Sequence, residues 1–208
     1  MYKQKKALSL ITILLLSIGT AAKINIPASD EKQALCQEIF QKMTDEHFFN
    51  DQDLSSINSE IFNSLLNRLD SQKIYFTENE IISFRRKFSK FDNPTNYQRK
   101  YLNSPLCSVD LKSKFKFINL YFNRLIEASN YQYREVAKKN FDFTKDEIIV
   151  IDDDKKKWQK SKLELRKSWK RLAKNDVLTS MLAEKDLDEA TETIKKRYKN
   201  RLRRISQR

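Results

Sequence analysis

Apolar residues recur every three or four positions through most of this 208-residue chain, with polar residues between them. Such spacing places the apolar side chains along one face of a helix. It predicts helices over residues 31–48, 54–69 and 77–88, followed by a long helix over 110–139. Two further helices are expected between residue 161 and the C-terminus.

Polar residues at the predicted helix starts fit capping roles. Thr77 with Glu80, and Ser161 with Glu164, have the spacing of a capping box, in which each residue satisfies a free amide of the other. Single aspartates are predicted as the remaining caps: Asp30, Asp53, Asp110, and either Asp186 or Asp188. The helical pattern therefore has plausible start signals.

Two segments break the helical period. Residues 89–109 contain Pro94 and Pro105 and are predicted to form a polar loop. Asn140 is expected to end the long helix, and the β-branched run at 148–151 fits a short strand or an extended strap. One Gly and three Pro in the whole chain argue against many tight turns. We therefore predict an all-α, multi-helix fold with one short extended segment near 141–152.

The apolar stripes also predict a core. On the long helix the stripe begins at Leu111 and runs to Ile126, and aromatic stripes of this kind are usually core. We expect the helices to pack around eight side chains: Phe40, Leu65, Phe84, Phe115, Ile118, Phe122, Trp169 and Tyr198.

The first residues have the layout of a secretory signal peptide. A basic head with Lys3, Lys5 and Lys6 precedes an apolar stretch over 7–18, and small residues follow it. We expect cleavage after Ala22, giving a signal peptide at 1–22 and a mature domain at 23–208. The alternative is an uncleaved anchor, although the stretch is short for a membrane span. Export predicts a periplasmic protein.

Export also affects the interpretation of the two cysteines. Cys36 and Cys107 would lie in a compartment that permits disulfides, and an even number suits one bridge. Two separate buried thiols are the alternative. Neither cysteine has the spacing of a metal site.

Positive charge is concentrated in the last quarter of the chain. Residues 155–208 carry 19 Lys and Arg against 7 Asp and Glu, while the whole chain has a net charge of +13. The basic last helix predicts either a solvated face, a face that docks on an acidic partner, or weak association with an anionic membrane surface. After export we expect no nucleic-acid partner. Asp152, Asp153 and Asp154 fit an exposed acidic turn better than a calcium loop.

The residues needed for a complete active site are missing from the sequence pattern. His47 is the only histidine, and the only glycine lies in the predicted signal peptide. Without glycine-rich turns, phosphate loops and dinucleotide fingerprints are excluded. We therefore predict no catalytic, cofactor-binding or metal-binding residue and no cofactor, and hence no enzyme activity for this chain on its own.

Four segments together resemble the tail-specific, or carboxy-terminal processing, serine proteases. The first block, residues 69–76, reads LDSQKIYF, and the second, 141–147, reads FDFTKDE. The third block, 158–178, contains Trp158 and Trp169 with KNDVL at its end. The fourth block, 194–204, contains IKKRY followed by basic residues. The blocks have the family's order and spacing.

The resemblance implies a helical N-terminal domain that precedes a PDZ domain and a protease domain with a Ser/Lys dyad. The blocks match only the first of these, so we expect the chain to end at Arg208, before the PDZ region. It further implies a non-catalytic scaffold that contacts the PDZ and protease part and a helical-repeat lipoprotein adaptor. The alternative function is an independent exported basic protein that binds an anionic membrane surface or an acidic protein.

Overall fold

The described part of the chain is mostly helical, with short connections after the second and fifth helices. The computed structural model describes residues 23–45, 57–89, 107, 111–150, 152, 155–183 and 186–207. Six helices occur in these ranges: α1 Asp30–Asp45, α2 Ile57–Asp70, α3 Glu78–Ser89, α4 Leu111–Ala137, α5 Lys162–Leu182 and α6 Leu187–Ser206. The predicted all-α class is confirmed.

The long helix α4 is the centre of the packing. It contacts α3, α5 and α6, while α2 packs against α3 and α5 against α6. Two helical pairs, α2 with α3 and α5 with α6, thus lie along one central helix. None of the helices in the described part of the chain is long and apolar enough to cross a membrane.

The core forms three adjoining clusters along α4. At its start, Phe117 packs with side chains of α2, α3 and Phe76. In the middle, Ala128 meets Leu165 and Trp169 of α5. At its end, Val136 packs with α5 and α6, including Tyr198. Each helical pair therefore has its own core, and α4 joins them.

The predicted core is right for some positions and wrong for others. Phe84, Trp169 and Tyr198 are buried, and Leu65 packs half-buried against the first cluster. The side chain of Phe40 is not among those that the structure describes. On α2, Phe62 and Leu66 are buried, whereas Ile61 is exposed.

The prediction of which face of α4 is buried is wrong in part. Phe115, Ile118 and Phe122 are only half-buried, whereas Phe117 is fully buried. The core-facing side of α4 includes polar groups such as Arg124, so hydrophobicity alone gives the wrong rotation of this helix.

Some apolar residues of α1 and α5 are exposed. Leu35 and Ile39 of α1 are about half exposed, and Leu163 and Leu182 of α5 are more exposed still. Helical spacing identified these helices correctly, but in the structure these apolar positions lie outside the core.

The caps mostly follow the prediction. Thr77 Oγ1 accepts the Glu80 N–H at 3.4 Å, and Glu80 Oε2 accepts the Thr77 N–H at 2.8 Å. Ser161 caps α5, and Asp186 rather than Asp188 caps α6. At α1, Ser29 accepts the Lys32 N–H, so the predicted cap Asp30 is instead the first helical residue.

The segment after α4 is irregular, with turns and residues of no regular secondary structure. Asn140 was predicted to end α4, but α4 ends at Ala137, and Lys139 adopts the left-handed conformation with φ 51°. Residues 146–150 have no regular secondary structure, so the predicted short strand does not form among the described residues. The isolated bridge in this part of the chain joins Thr77 and Gln159.

Cys36 and Cys107 form a disulfide bond, with their Cα atoms 5.6 Å apart. Of the two alternatives for the cysteines, the bridge is therefore the one in the structure. It joins α1 to a position just before α4. The predicted signal peptide, His47, Pro94 and Pro105 lie outside the described residues.

Candidate functional site

The Asp70 carboxylate organises the turn that follows α2. It is 2% exposed. Oδ1 accepts the Ile74 N–H at 2.7 Å and the Tyr75 N–H at 3.2 Å, and Oδ2 accepts the Phe76 N–H at 3.3 Å. The Trp158 indole also donates to Oδ2 at 3.3 Å. One buried carboxylate thus fixes the first block and ties it to the third.

A second bond joins the same two blocks. The Trp169 indole N–H donates to the Ile74 carbonyl at 2.7 Å, and the Trp169 ring is fully buried. Nearby, the Glu78 N–H donates to the Gln159 carbonyl at 2.9 Å. The turn after α2 is therefore held from both sides by the chain around α5.

The cap of α3 extends this network to α4. Glu80 Oε1 accepts the Arg124 guanidinium at 2.7 Å, while its other oxygen caps the helix. Arg124 is 3% exposed, and a second carboxylate, Glu127, lies 3.6 Å from it. Burial of an arginine needs such partners.

The second block is fastened to the third. Asp142 Oδ1 accepts the Thr144 N–H and hydroxyl, which closes a tight turn. Lys174 pairs with Glu147 at 2.5 Å and lies over the Phe143 ring. The Lys174 ammonium thereby joins residues of both blocks.

The fourth block is joined through Tyr198. Its hydroxyl donates to Asp176 Oδ2 at 2.6 Å, and Arg197 lies 3.5 Å from the other oxygen of Asp176. Asp176 belongs to the third block. The first, second and fourth blocks thus each contact the third block. We call the residues that make these contacts the hub: Asp70, Ile74, Glu147, Trp158, Trp169, Lys174, Asp176 and Tyr198.

Burial raises the pKa of two hub residues, Asp70 and Tyr198, and of the neighbouring Tyr75. It raises the pKa of Asp70 to about 6, although the hydrogen bonds from Ile74, Tyr75, Phe76 and Trp158 oppose this. It raises the pKa of Tyr75 to about 12, and the pKa of Tyr198 is raised as well. In contrast, the hydrogen bond from Lys174 lowers the pKa of Glu147.

The hub is built for internal contacts. Both Asp70 oxygens, both indole N–H groups and the Tyr198 hydroxyl are bonded to other parts of the fold. Within the described ranges, no three His, Cys, Asp or Glu side chains are arranged to hold a metal ion. Asp152, from the predicted acidic turn, is exposed and pairs with Lys155 at 3.3 Å.

Comparison with known proteins identifies a family for this chain. The profile of the family described as "Tail specific protease N-terminal domain" matches residues 39–208. The chain belongs to the tail-specific protease N-terminal domain family. The Tail-specific protease of Haemophilus influenzae is 25% identical over 186 residues, which are 88% of this chain. The chain spans about a quarter of the length of that relative.

The family resemblance seen in the sequence is therefore confirmed. All four blocks of this tail-specific protease N-terminal domain contribute to the hub. The sequence identified Trp169 and Tyr198 as core residues but not their hydrogen bonds to Ile74 and Asp176. It also missed the role of Asp70 as the acceptor for the turn after α2.

Proposed function

We propose that this chain is a non-catalytic helical scaffold within a tail-specific protease system of the periplasm. The observation that supports it is the hub, since the side chains that mark the family hold the fold together. Fixed helices and buried polar groups suit a domain that positions other domains. The prediction of no catalytic, cofactor or metal residue in this chain belongs to the same proposal.

The partners in this proposal are a PDZ and protease part and a helical-repeat lipoprotein adaptor. The large exposed apolar side chains, such as Leu163 and Leu182 of α5, are available for such contacts. Apolar side chains on a surface are a common feature of contact areas, although single ones also occur on isolated proteins.

A proteolysis assay tests the scaffold proposal. The purified chain is incubated with peptides that end in apolar residues, and the products are analysed by mass spectrometry. We expect no cleavage. Hydrolysis that stays with the chain through repurification, and that keeps the same specific activity, would contradict the proposal.

The basic face of α6 favours a second candidate function, binding to anionic lipid or to an acidic protein. A cleft of about 340 Å³ on this face is lined by Tyr133, Glu192 and three lysines of α6. Lys195 pairs with Glu192, whereas Lys196 and Lys199 are exposed. Exposed cations attract anionic surfaces in a salt-dependent way.

Co-sedimentation with anionic vesicles separates the two candidates. The scaffold proposal predicts little binding at physiological salt. Strong binding that is lost in Lys196→Glu/Lys199→Glu, and kept in the matched exposed pair Lys112→Glu/Lys116→Glu of α4, would favour the second candidate.

A further inference from the structure

Two asparagines of α4 hold the extended segment at residues 23–27. The Asn123 amide accepts the Ile24 N–H at 2.9 Å and donates to the Ile24 carbonyl at 2.8 Å. The Asn119 amide repeats this with Ile26, at 2.8 and 2.9 Å. Each amide therefore gives one residue both of the bonds that a neighbouring β-strand would give. We call the two side chains the asparagine clasp.

The spacing of the clasp matches an extended chain. Residues four apart on a helix share one face and are separated by about 6 Å along its axis. Residues two apart in a strand are separated by about 6.6 Å. The clasp can therefore bind alternate residues of any extended chain. Its four short bonds go to backbone atoms, and its contact with a side chain, from Asn119 Nδ2 to Asn25 Oδ1, is long at 3.5 Å. The short bonds therefore do not themselves require a particular sequence.

The side chains of the segment add an apolar contact beside the clasp. Ile24 and Ile26 are half-buried, and they border a cavity of about 290 Å³ with Phe122, Ile126 and Ile205. The two isoleucines thus leave apolar space between α4 and α6. A larger apolar side chain at either position would bury more surface there.

We propose that the asparagine clasp is a binding site for extended polypeptide and accepts a segment of a second protein with apolar side chains at alternate positions. Residues 23–27 occupy the site in this structure and act as an internal competitor. Three observations support this assignment: paired bonds to backbone atoms, the match of helical and extended spacing, and the incompletely filled apolar cavity. This site is separate from the hub and goes beyond the scaffold role.

A variant that releases the internal segment makes the site measurable. Ile24→Pro/Ile26→Pro in the full chain removes both N–H donors, because proline has none. A fluorescent peptide with the sequence of residues 23–29 is then titrated, and its anisotropy is recorded. We expect saturable binding, and weaker binding to the wild-type chain, where residues 23–27 compete.

Matched controls separate backbone recognition from general stickiness. A peptide N-methylated at the positions of Ile24 and Ile26 keeps both side chains but lacks the two donors. We expect the affinity of the N-methylated peptide to be lower by at least about tenfold. The unmodified peptide should lose a similar factor in affinity when the released variant also carries Asn119→Ala/Asn123→Ala. A peptide with Phe in place of Ile24 should bind more tightly than the unmodified peptide.

The proposal is wrong if the released variant binds no peptide, or if N-methylation leaves the affinity unchanged. Hydrogen exchange on the wild-type chain gives a second test that does not depend on the folding of the proline variant. Excess Phe-containing peptide should remove the protection of the Ile24 and Ile26 amides while amides in α4 stay protected. Unchanged protection of those two amides would also overturn the proposal.

Discussion

Asp70 shows how one buried residue sets local structure and ionisation together. It is an acceptor for three backbone amides and an indole. Burial raises the pKa of the Asp70 carboxyl group to about 6. The residue is therefore expected to make stability depend on pH.

The folded pKa of Asp70, about 6, is above its ordinary value of 3.8. The folded state therefore favours the protonated form of Asp70. The protonated group stabilises the fold fully below about pH 4, and this contribution to the free energy of unfolding is lost as the pH rises through 6. The expected loss is about 3 kcal/mol. In urea unfolding from pH 4 to pH 8, the stability of the wild type relative to Asp70→Asn should fall with pH. A difference that does not change with pH would contradict this.

Trp169 combines packing with a hydrogen bond, and two substitutions separate these contributions. Trp169→Ala should cost about 3–5 kcal/mol because it empties a fully buried site. Trp169→Phe keeps a ring but leaves the Ile74 carbonyl without its donor, so we expect a loss of about 1–3 kcal/mol. Urea unfolding measures both. A Phe variant as stable as the wild type would show that the indole bond contributes nothing.

At the scale of elements, helical spacing predicted where helices occur better than which face they bury. Phe115 and Phe122 of α4 were expected in the core, but they lie on a side that other parts of the chain only half cover. The Lys32 ammonium lies 5.1 Å from the Phe115 ring centroid, and Phe122 borders the cavity beside Ile24. A covering segment such as residues 23–27 has no helical period, so it could not be predicted from the pattern of apolar residues.

The hub was predictable in its parts and not in its assembly. The four blocks were visible in the sequence, and the capping box of Thr77 and Glu80 was predicted with both bonds. Asp70 and Trp158, however, are 88 positions apart, and a pattern along the chain carries no information about such a pairing. The pairing forms because both helical pairs pack against α4, which brings Asp70 and Trp158 together.

The end of α4 gives a prediction at the same scale. Lys139 is left-handed, a conformation in which a side chain is unfavourable and glycine is favoured. Its ion pair with Asp188 is exposed and contributes little. Lys139→Gly should therefore stabilise the fold by about 1 kcal/mol in thermal or urea unfolding, because the relieved strain of about 1–3 kcal/mol is partly offset by the greater entropy of glycine in the unfolded chain. The neighbouring Lys138→Gly is the control and should not stabilise; equal effects of both would refute the explanation.

For the whole molecule, the disulfide is the main covalent constraint. It joins Cys36 and Cys107, which are 71 positions apart. Closing a loop of this length lowers the entropy of the unfolded chain, so Cys36→Ser/Cys107→Ser should lose roughly 4 kcal/mol of stability. Urea unfolding of the oxidised and variant proteins measures the difference. A loss below about 1 kcal/mol would mean that the bridge adds little to this fold.

The central claim is that the four blocks form one cooperative hub. Native-state hydrogen exchange tests it most directly, because it measures the free energy at which each amide opens. We predict that the Ile74, Tyr75 and Phe76 amides, which donate to Asp70, open together with those of Trp169 and Tyr198 in the unfolding of the whole domain. Exchange of the first three amides through a separate opening of much lower free energy would contradict the account.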